Sequence, residues 1–141
     1  MNKRILWIDD DVNNPELQTE KFELEKNDFI VVGSETPDAG LEVLKTDTDF
    51  GCIIVDISMP RGKNISFAEA RGGMRTGLII LRRLLADTRL NNIKKIVYTV
   101  IDDGEIIKEC EKNNVLYLKK GCLLSSEFLE YIKTQLVEDE K

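Results

Sequence analysis

Short apolar runs alternate with amphipathic stretches along the whole chain, and this alternation predicts five strands, each followed by a helix. Arg4 to Ile8 reads as the first strand, and Asn14-Pro15 supplies an N-cap and first-turn proline for a helix to about Lys26. Phe29 to Gly33 reads as the second strand, and Thr36-Pro37 repeats the cap-proline device for a helix through Leu41 and Leu44. Cys52 to Asp56 forms the third strand, and Gly77 to about Ala86 carries a broad apolar helical face. Ile93 to Thr99 is the fourth strand, and Asp102 or Asp103 caps a helix to about Lys112 that Asn113-Asn114 can end. Val115 to Leu118 is the fifth strand, and Ser125 or Ser126 opens the last helix.

Such regular alternation argues for a parallel sheet with helices on both faces, because each right-handed crossover carries its helix back over the sheet. The third and fourth strands are apolar enough to be buried on both sides. In an open sheet of this kind, ligands and reacting groups collect at the carboxyl ends of the strands. That rim receives Asp9, Asp10 and Asp11 from the first strand, Asp56 from the third, Thr99 from the fourth and Lys119-Lys120 from the fifth.

Composition narrows the field. A chain of 141 residues makes one ordinary domain, and 42% hydrophobic with 33% charged residues suits a globular protein. The net charge of -6 gives no general attraction to nucleic acid or to an anionic membrane. Neither a signal-peptide core nor a run of transmembrane length occurs, and a cytoplasmic location is expected. Three cysteines (Cys52, Cys110, Cys122) lack metal-type spacing and read as reduced core residues. The absence of histidine removes Ser-His-Asp, Cys-His and His-metal chemistry.

Carboxylates converging on one spot repel one another unless a cation joins them. Magnesium suits such a set, since it takes oxygen ligands and keeps several waters. A carboxylate beside a bound dication, with a hydroxyl and an ammonium aimed at the same place, is what phosphoryl transfer to an aspartate requires. Asp56 would attack, while Lys120, Thr99 and the metal would balance charge on the transferring oxygens.

These residues resemble the receiver (CheY-like) domain of two-component response regulators over nearly the whole chain. The acidic pair looks like Asp9 and Asp10 in ILWIDDD, the phosphoacceptor like Asp56 in DISMP, and the strand-four hydroxyl like Thr99. Tyr117 and Lys120 match the family's aromatic-to-lysine spacing, which favours Lys120 over Lys119. The resemblance implies a flavodoxin-like, doubly wound five-stranded α/β sheet of order 2-1-3-4-5. It further implies Mg²⁺ held at Asp9, Asp10, Asp56 and Ser58, catalysis by Asp56, Thr99 and Lys120, and a switch through Thr99 and Tyr117. Implied partners are a histidine kinase or phosphotransfer protein as donor and a downstream protein as target, with no direct nucleic-acid or membrane binding. A homodimer through the fourth helix, fifth strand and fifth helix is also compatible with it. Such a domain accepts and slowly loses its own phosphoryl group rather than turning over substrate. No DNA-binding segment follows the fifth helix, so output is expected to run through another protein or domain.

Two alternatives stand beside this reading. One is a module of the same fold that is never phosphorylated. The other is a small haloacid-dehalogenase-type phosphatase, whose D-x-D-x-T signature Asp9 and Asp11 half match, although Asn13 replaces the threonine. Three departures from the receiver pattern also stand out: Val100 where alanine is common, Gly121 where a cis-proline is usual, and an insertion over Arg61 to Thr76. Gly121 is expected to leave the Lys120 backbone looser, and Val100 to leave less room beside the loop. The insertion carries four basic residues against one acidic, a local charge of +3 on a chain of -6. It is expected to pack near the site, with one of its arginines stabilising the phosphorylated state or meeting an acidic partner.

Overall fold

The computed structural model of the protein describes residues 1–59 and 75–138. The expected insertion over 61–76 therefore lies outside the described residues except for Arg75 and Thr76. Five parallel strands form one sheet: β1 (Arg4–Ile8), β2 (Ile30–Ser34), β3 (Cys52–Val55), β4 (Lys94–Thr99) and β5 (Leu116–Lys119), in the order 2-1-3-4-5. The described helices are α1 (Pro15–Glu25), α2 (Pro37–Thr46), α3 (Thr76–Ala86), α4 (Gly104–Lys112) and α5 (Ser125–Glu138), with a 3₁₀ turn at Thr88–Leu90. This is the doubly wound, flavodoxin-like arrangement that the chain's resemblance implies. Among the described residues no helix is long and apolar enough to cross a membrane.

Strand alternation sorts the core into layers, since successive side chains point to opposite faces. Ile5, Trp7, Ile54, Ile96 and Tyr98 meet Leu17 and Leu24 of α1 and Phe128 and Ile132 of α5. Leu6, Ile8, Ile53 and Val55 meet Leu44 of α2 with Ile80 and Leu84 of α3. Val97 packs with Leu81 of α3 and with Ile106 and Cys110 of α4. Trp7 stacks on Phe128 at 5.6 Å between ring centroids, and Tyr98 lies 4.6 Å from the same ring. One exception interrupts the apolar β4: Lys95 is buried, with its Nζ donating to the Leu90 carbonyl.

Several boundaries differ by one residue from expectation. β2 and β5 each begin one position later, because Phe29 and Val115 are drawn back by bonds to Leu24 and Cys110 in the preceding helices. Thr36 caps α2 by accepting from the Ala39 N–H at 3.1 Å, as expected. Asn14 occupies the N-cap position of α1 without a side-chain cap, because its Nδ2 donates to Asp11 Oδ1 at 2.8 Å instead. Asp103, not Asp102, caps α4 by accepting from the Glu105 N–H at 2.9 Å. Asn114 ends that helix at a φ of 57°. Cys52 and Cys110 are core residues, whereas Cys122 is exposed, against expectation.

Gly77 ties α3 to the end of β3. Its N–H donates to the Ile57 carbonyl at 2.8 Å, and a Cβ there would lie 1.7 Å from the Asp56 carbonyl oxygen. The contact is backbone on backbone, so no side chain can yield. Gly77→Ala should therefore lower the unfolding free energy by about 1–3 kcal/mol, as overpacking in a dense interior does. Urea titration followed by the single tryptophan, Trp7, measures this. A midpoint equal to wild type would show that α3 can retreat from Asp56.

Candidate functional site

The residues of the rim stand where the strand ladders run one step past the strands. The Asp9 N–H donates to the Ser34 carbonyl at 3.0 Å, that of Asp56 to Ile8 at 3.1 Å, and that of Lys120 to Thr99 at 2.8 Å. Sheet hydrogen bonding thus fixes the backbones of Asp9, Asp56 and Lys120 although none belongs to a strand. Past Asp9 the chain turns sharply, with the Asp11 N–H donating to Asp9 Oδ1 at 2.9 Å.

Asp9 is fully buried and Asp56 is 4% exposed. Between them lies the Lys120 ammonium, 2.7 Å from Asp9 Oδ2 and 3.0 Å from Asp56 Oδ2. The first contact is an ion pair without hydrogen-bond geometry, and the second is a hydrogen bond. Asp56 Oδ1 is buried and has no hydrogen-bond partner among the described residues. Burial, followed by repulsion from Asp56, pushes the Asp9 carboxyl up to about 6 even though Lys120 pulls the other way. Burial and then the charges of Asp11 and Asp56 raise Asp10 as well. Burial acts to lower Lys120, but the Asp56 and Asp9 carboxylates outweigh it and the ammonium is held above its ordinary range. Among the described residues the site therefore carries more carboxylate than the Lys120 ammonium neutralises.

Oxygen ligands cluster beside this pair. Ligand atoms of Asp9, Asp10 and Asp11 lie within 4.8 Å of one another. Asp10 and Asp11 border a cavity of about 490 Å³ that Asp56, Ser58 and Lys120 also line. Glu16 and Glu20 extend its rim along α1, four residues apart on one helical face. Asp11, Glu16 and Glu20 were not among the expected metal or catalytic residues. Their signal was present in the third acid of the DDD run and in the i,i+4 glutamates.

Thr99 is fully buried at the end of β4, and its hydroxyl accepts from the Ile101 N–H at 3.2 Å. Tyr117 is half-buried, with its hydroxyl donating to the Ile101 carbonyl. The backbone of one residue, through its N–H and its carbonyl, is thus gripped by both expected switch residues, a link that no residue type in the sequence announces. Lys119 turns away to Asp102 at 3.1 Å, so of the two lysines it is Lys120 that stands at the two buried acids. Val100 is 60% exposed, so its branched side chain does not crowd the interior as expected. Gly121 has a φ of 84°, and all peptide bonds among the described residues are trans. Gly121 is expected to leave the Lys120 backbone looser or differently posed; the Lys120 N–H donates to the Thr99 carbonyl at 2.8 Å. Glycine here permits a left-handed turn that proline, held near −65°, could not make.

The pH dependence of the metal-free protein follows from Asp9. Its folded value near 6 exceeds the ordinary 3.8, so the folded state holds its proton more tightly than the unfolded state does. Stability from this group is thus present at acidic pH and is lost as pH rises from about 4 through 6. In chelator, the melting temperature should fall over that window, and Asp9→Asn should flatten the fall. Parallel curves for the two proteins would overturn the assignment.

Comparisons with known proteins agree with this geometry. No protein-family model matches the sequence, and no curated protein matches it. Among solved structures, similar folds include a CheY-like response regulator receiver domain protein from Methanospirillum hungatei JF-1, 25% identical. It covers 99% of this chain and 98% of its own, with a TM-score of 0.71. A protein from Rhodopirellula baltica described as an adenylate cyclase is also 25% identical, covering 99% and 91% with a TM-score of 0.74. The chemotaxis response regulator CheY4 of Vibrio cholerae, 15% identical, covers 96% and 99% with a TM-score of 0.72 and bears on the fold alone.

Proposed function

We propose that this chain, which has the fold of CheY-like response regulator receiver domains, is a phosphoacceptor that takes a phosphoryl group on Asp56. The observation that carries the reading is Lys120 joined to both Asp9 and Asp56 at the mouth of an oxygen-lined cavity. Asp56 Oδ1, buried and unpartnered, is the oxygen that would attack phosphorus. As its bond to phosphorus forms, the bond to the donor's leaving atom breaks. Lys120 draws charge from the equatorial oxygens, and the Thr99 hydroxyl can leave the Ile101 N–H to donate to one of them. The donor would be a histidine kinase or a phosphotransfer protein, and the output a protein partner. Such a role is signalling in the cytoplasm, with slow loss of the group and no turnover of substrate.

The donor set fits Mg²⁺. It is all oxygen, its Asp9 and Asp10 carboxyls are raised by burial and then by neighbouring carboxylates, and one buried carboxylate oxygen has no partner among the described residues. Asp9, Asp10, Asp56 and Ser58 would hold the ion, and Asp11 lies close enough to Asp9 and Asp10 to support them. The ion would supply the positive charge that Lys120 alone leaves short.

Treatment with acetyl phosphate should add one phosphoryl group to the wild type only with Mg²⁺, and none to Asp56→Asn, as read by intact mass. Modification of Asp56→Asn, or none of the wild type, would sink the reading; the latter would leave an unphosphorylated interaction module. Magnesium at about a hundred times its dissociation constant should stabilise the fold by roughly 2.7 kcal/mol, visible as a raised melting temperature. No change at millimolar Mg²⁺ would remove Asp9 and Asp10 as ligands.

The switch is testable separately. With Mg²⁺ and beryllofluoride, movement of Thr99 should free the Ile101 amide, and chemical shifts should spread from it through Glu105 to Leu118. Shifts confined to residues around Asp56 would show that Thr99 and Tyr117 do not transmit.

A further inference from the structure

Arg75 stands at the threshold of α3, and its guanidinium leaves that helix for the start of α4. Nη2 lies 2.9 Å from Asp103 Oδ2, as a hydrogen-bonded ion pair, and 3.6 Å from Glu105 Oε2. Seven residues on, and so nearly two turns along the same face of α3, Arg82 meets Glu109 of α4 through two parallel bonds. Nε donates to Oε2 at 2.8 Å and Nη2 to Oε1 at 2.7 Å. Glu109 is held below its ordinary range, by the Arg82 hydrogen bond first. Two arginines at this spacing thus join α3 to three carboxylates of α4 and its cap.

Both ends of this seam are tied to the site. Gly77 fixes the beginning of α3 to the Asp56–Ile57 backbone, leaving no room for a Cβ. Asp103 caps α4 through Oδ1 while offering Oδ2 to Arg75. It also ends the loop that starts at Thr99, where both switch residues hold Ile101. If Thr99 moves toward a group on Asp56, the Val100–Asp103 loop must shift. Its far end is then held by a guanidinium whose own helix is pinned to the Asp56 backbone.

We propose that Arg75 and Arg82 clasp α4 to α3 and so restrain the Val100–Asp103 loop where it stands, opposing the rearrangement that a phosphoryl group on Asp56 drives. The clasp is a property of the chain as folded, and its regulatory meaning rests on Asp56 being the phosphoacceptor.

The decisive variants are Arg75→Met, which keeps the aliphatic stem, and Asp103→Asn, which keeps the cap acceptor and loses the charge. Two readouts are needed. Amide hydrogen exchange at Glu105 to Cys110 without ligand should quicken by about two- to fivefold, the range that a partly exposed ion pair supplies. In a beryllofluoride titration with Mg²⁺, half-saturation should fall by about the same factor, since the bound state no longer works against the clasp. The double variant should do no more than Arg75→Met alone, because that change already removes both the Asp103 pair and the longer contact to Glu105. Urea midpoints read from Trp7 check that each variant is folded. Unchanged exchange in both variants overturns the clasp. Faster exchange with an unchanged titration overturns the restraint, leaving a mere staple. If wild type does not respond to beryllofluoride, it is the reading of Asp56 that fails, and equal exchange rates in Arg75→Met and wild type would then still overturn the clasp.

Discussion

Two carboxylates buried against a single ammonium set the terms for the rest of the molecule. Asp9 and Asp56 lie almost wholly out of solvent, yet Lys120 is the one cation the described structure brings to both. A buried ion pair that loses a partner costs about 3–5 kcal/mol, since the remaining charge is left without compensation. Three chain segments must therefore arrive together with little freedom. The parallel sheet achieves this by extending its ladder one residue beyond β1, β3 and β5, so that backbone bonds position all three groups. Side-chain burial can then be severe without the groups drifting apart.

The same constraint explains why the site is short of positive charge rather than balanced. One ammonium between two acids, with Asp10 and Asp11 alongside, leaves excess negative charge, and burial converts that excess into raised carboxyls at Asp9 and Asp10. A dication and a phosphoryl group arriving together would change that balance in compensating directions. The wall of the cavity continues this acidity along α1 through Glu16 and Glu20. Such a rim repels bare phosphate oxygens unless a cation screens them.

Much of this was legible in the chain. Apolar runs ending in Asp9, Asp56 and Thr99 marked strand ends, because a buried run gives way to polar residues where a strand meets solvent or a site. The cap-proline pair at Thr36-Pro37 specified a helix start through its own chemistry, and the structure forms that bond. At Asn14 the same pattern also placed the N-cap and the first-turn proline, although the side chain there donates to Asp11 and forms no cap bond. Strand starts at β2 and β5 moved by one residue, since bonds back to Leu24 and Cys110 took Phe29 and Val115 out of the ladder. Gly121 could not be placed from a family pattern built on proline, because its value lies in a positive φ that sequence does not display. The hold on Ile101 was invisible for a simpler reason: its backbone groups do the work, and any residue but proline would offer them both.

That last point bears on how so little identity can accompany so close a fold. A structure 25% identical to this chain superposes over nearly its full length. The core asks only for apolar volume in alternation, and many sequences meet that demand. Bonds between backbone groups, such as Lys120 to Thr99 or Gly77 to Ile57, ask almost nothing of side chains. Strict demands remain at a few places: a carboxylate pair with its ammonium, a hydroxyl at Thr99, and a residue without a Cβ at Gly77. Contacts made through backbone, such as those at Ile101, inherit the same freedom, whereas side-chain ion pairs such as Arg75 with Asp103 depend on which residues one chain carries.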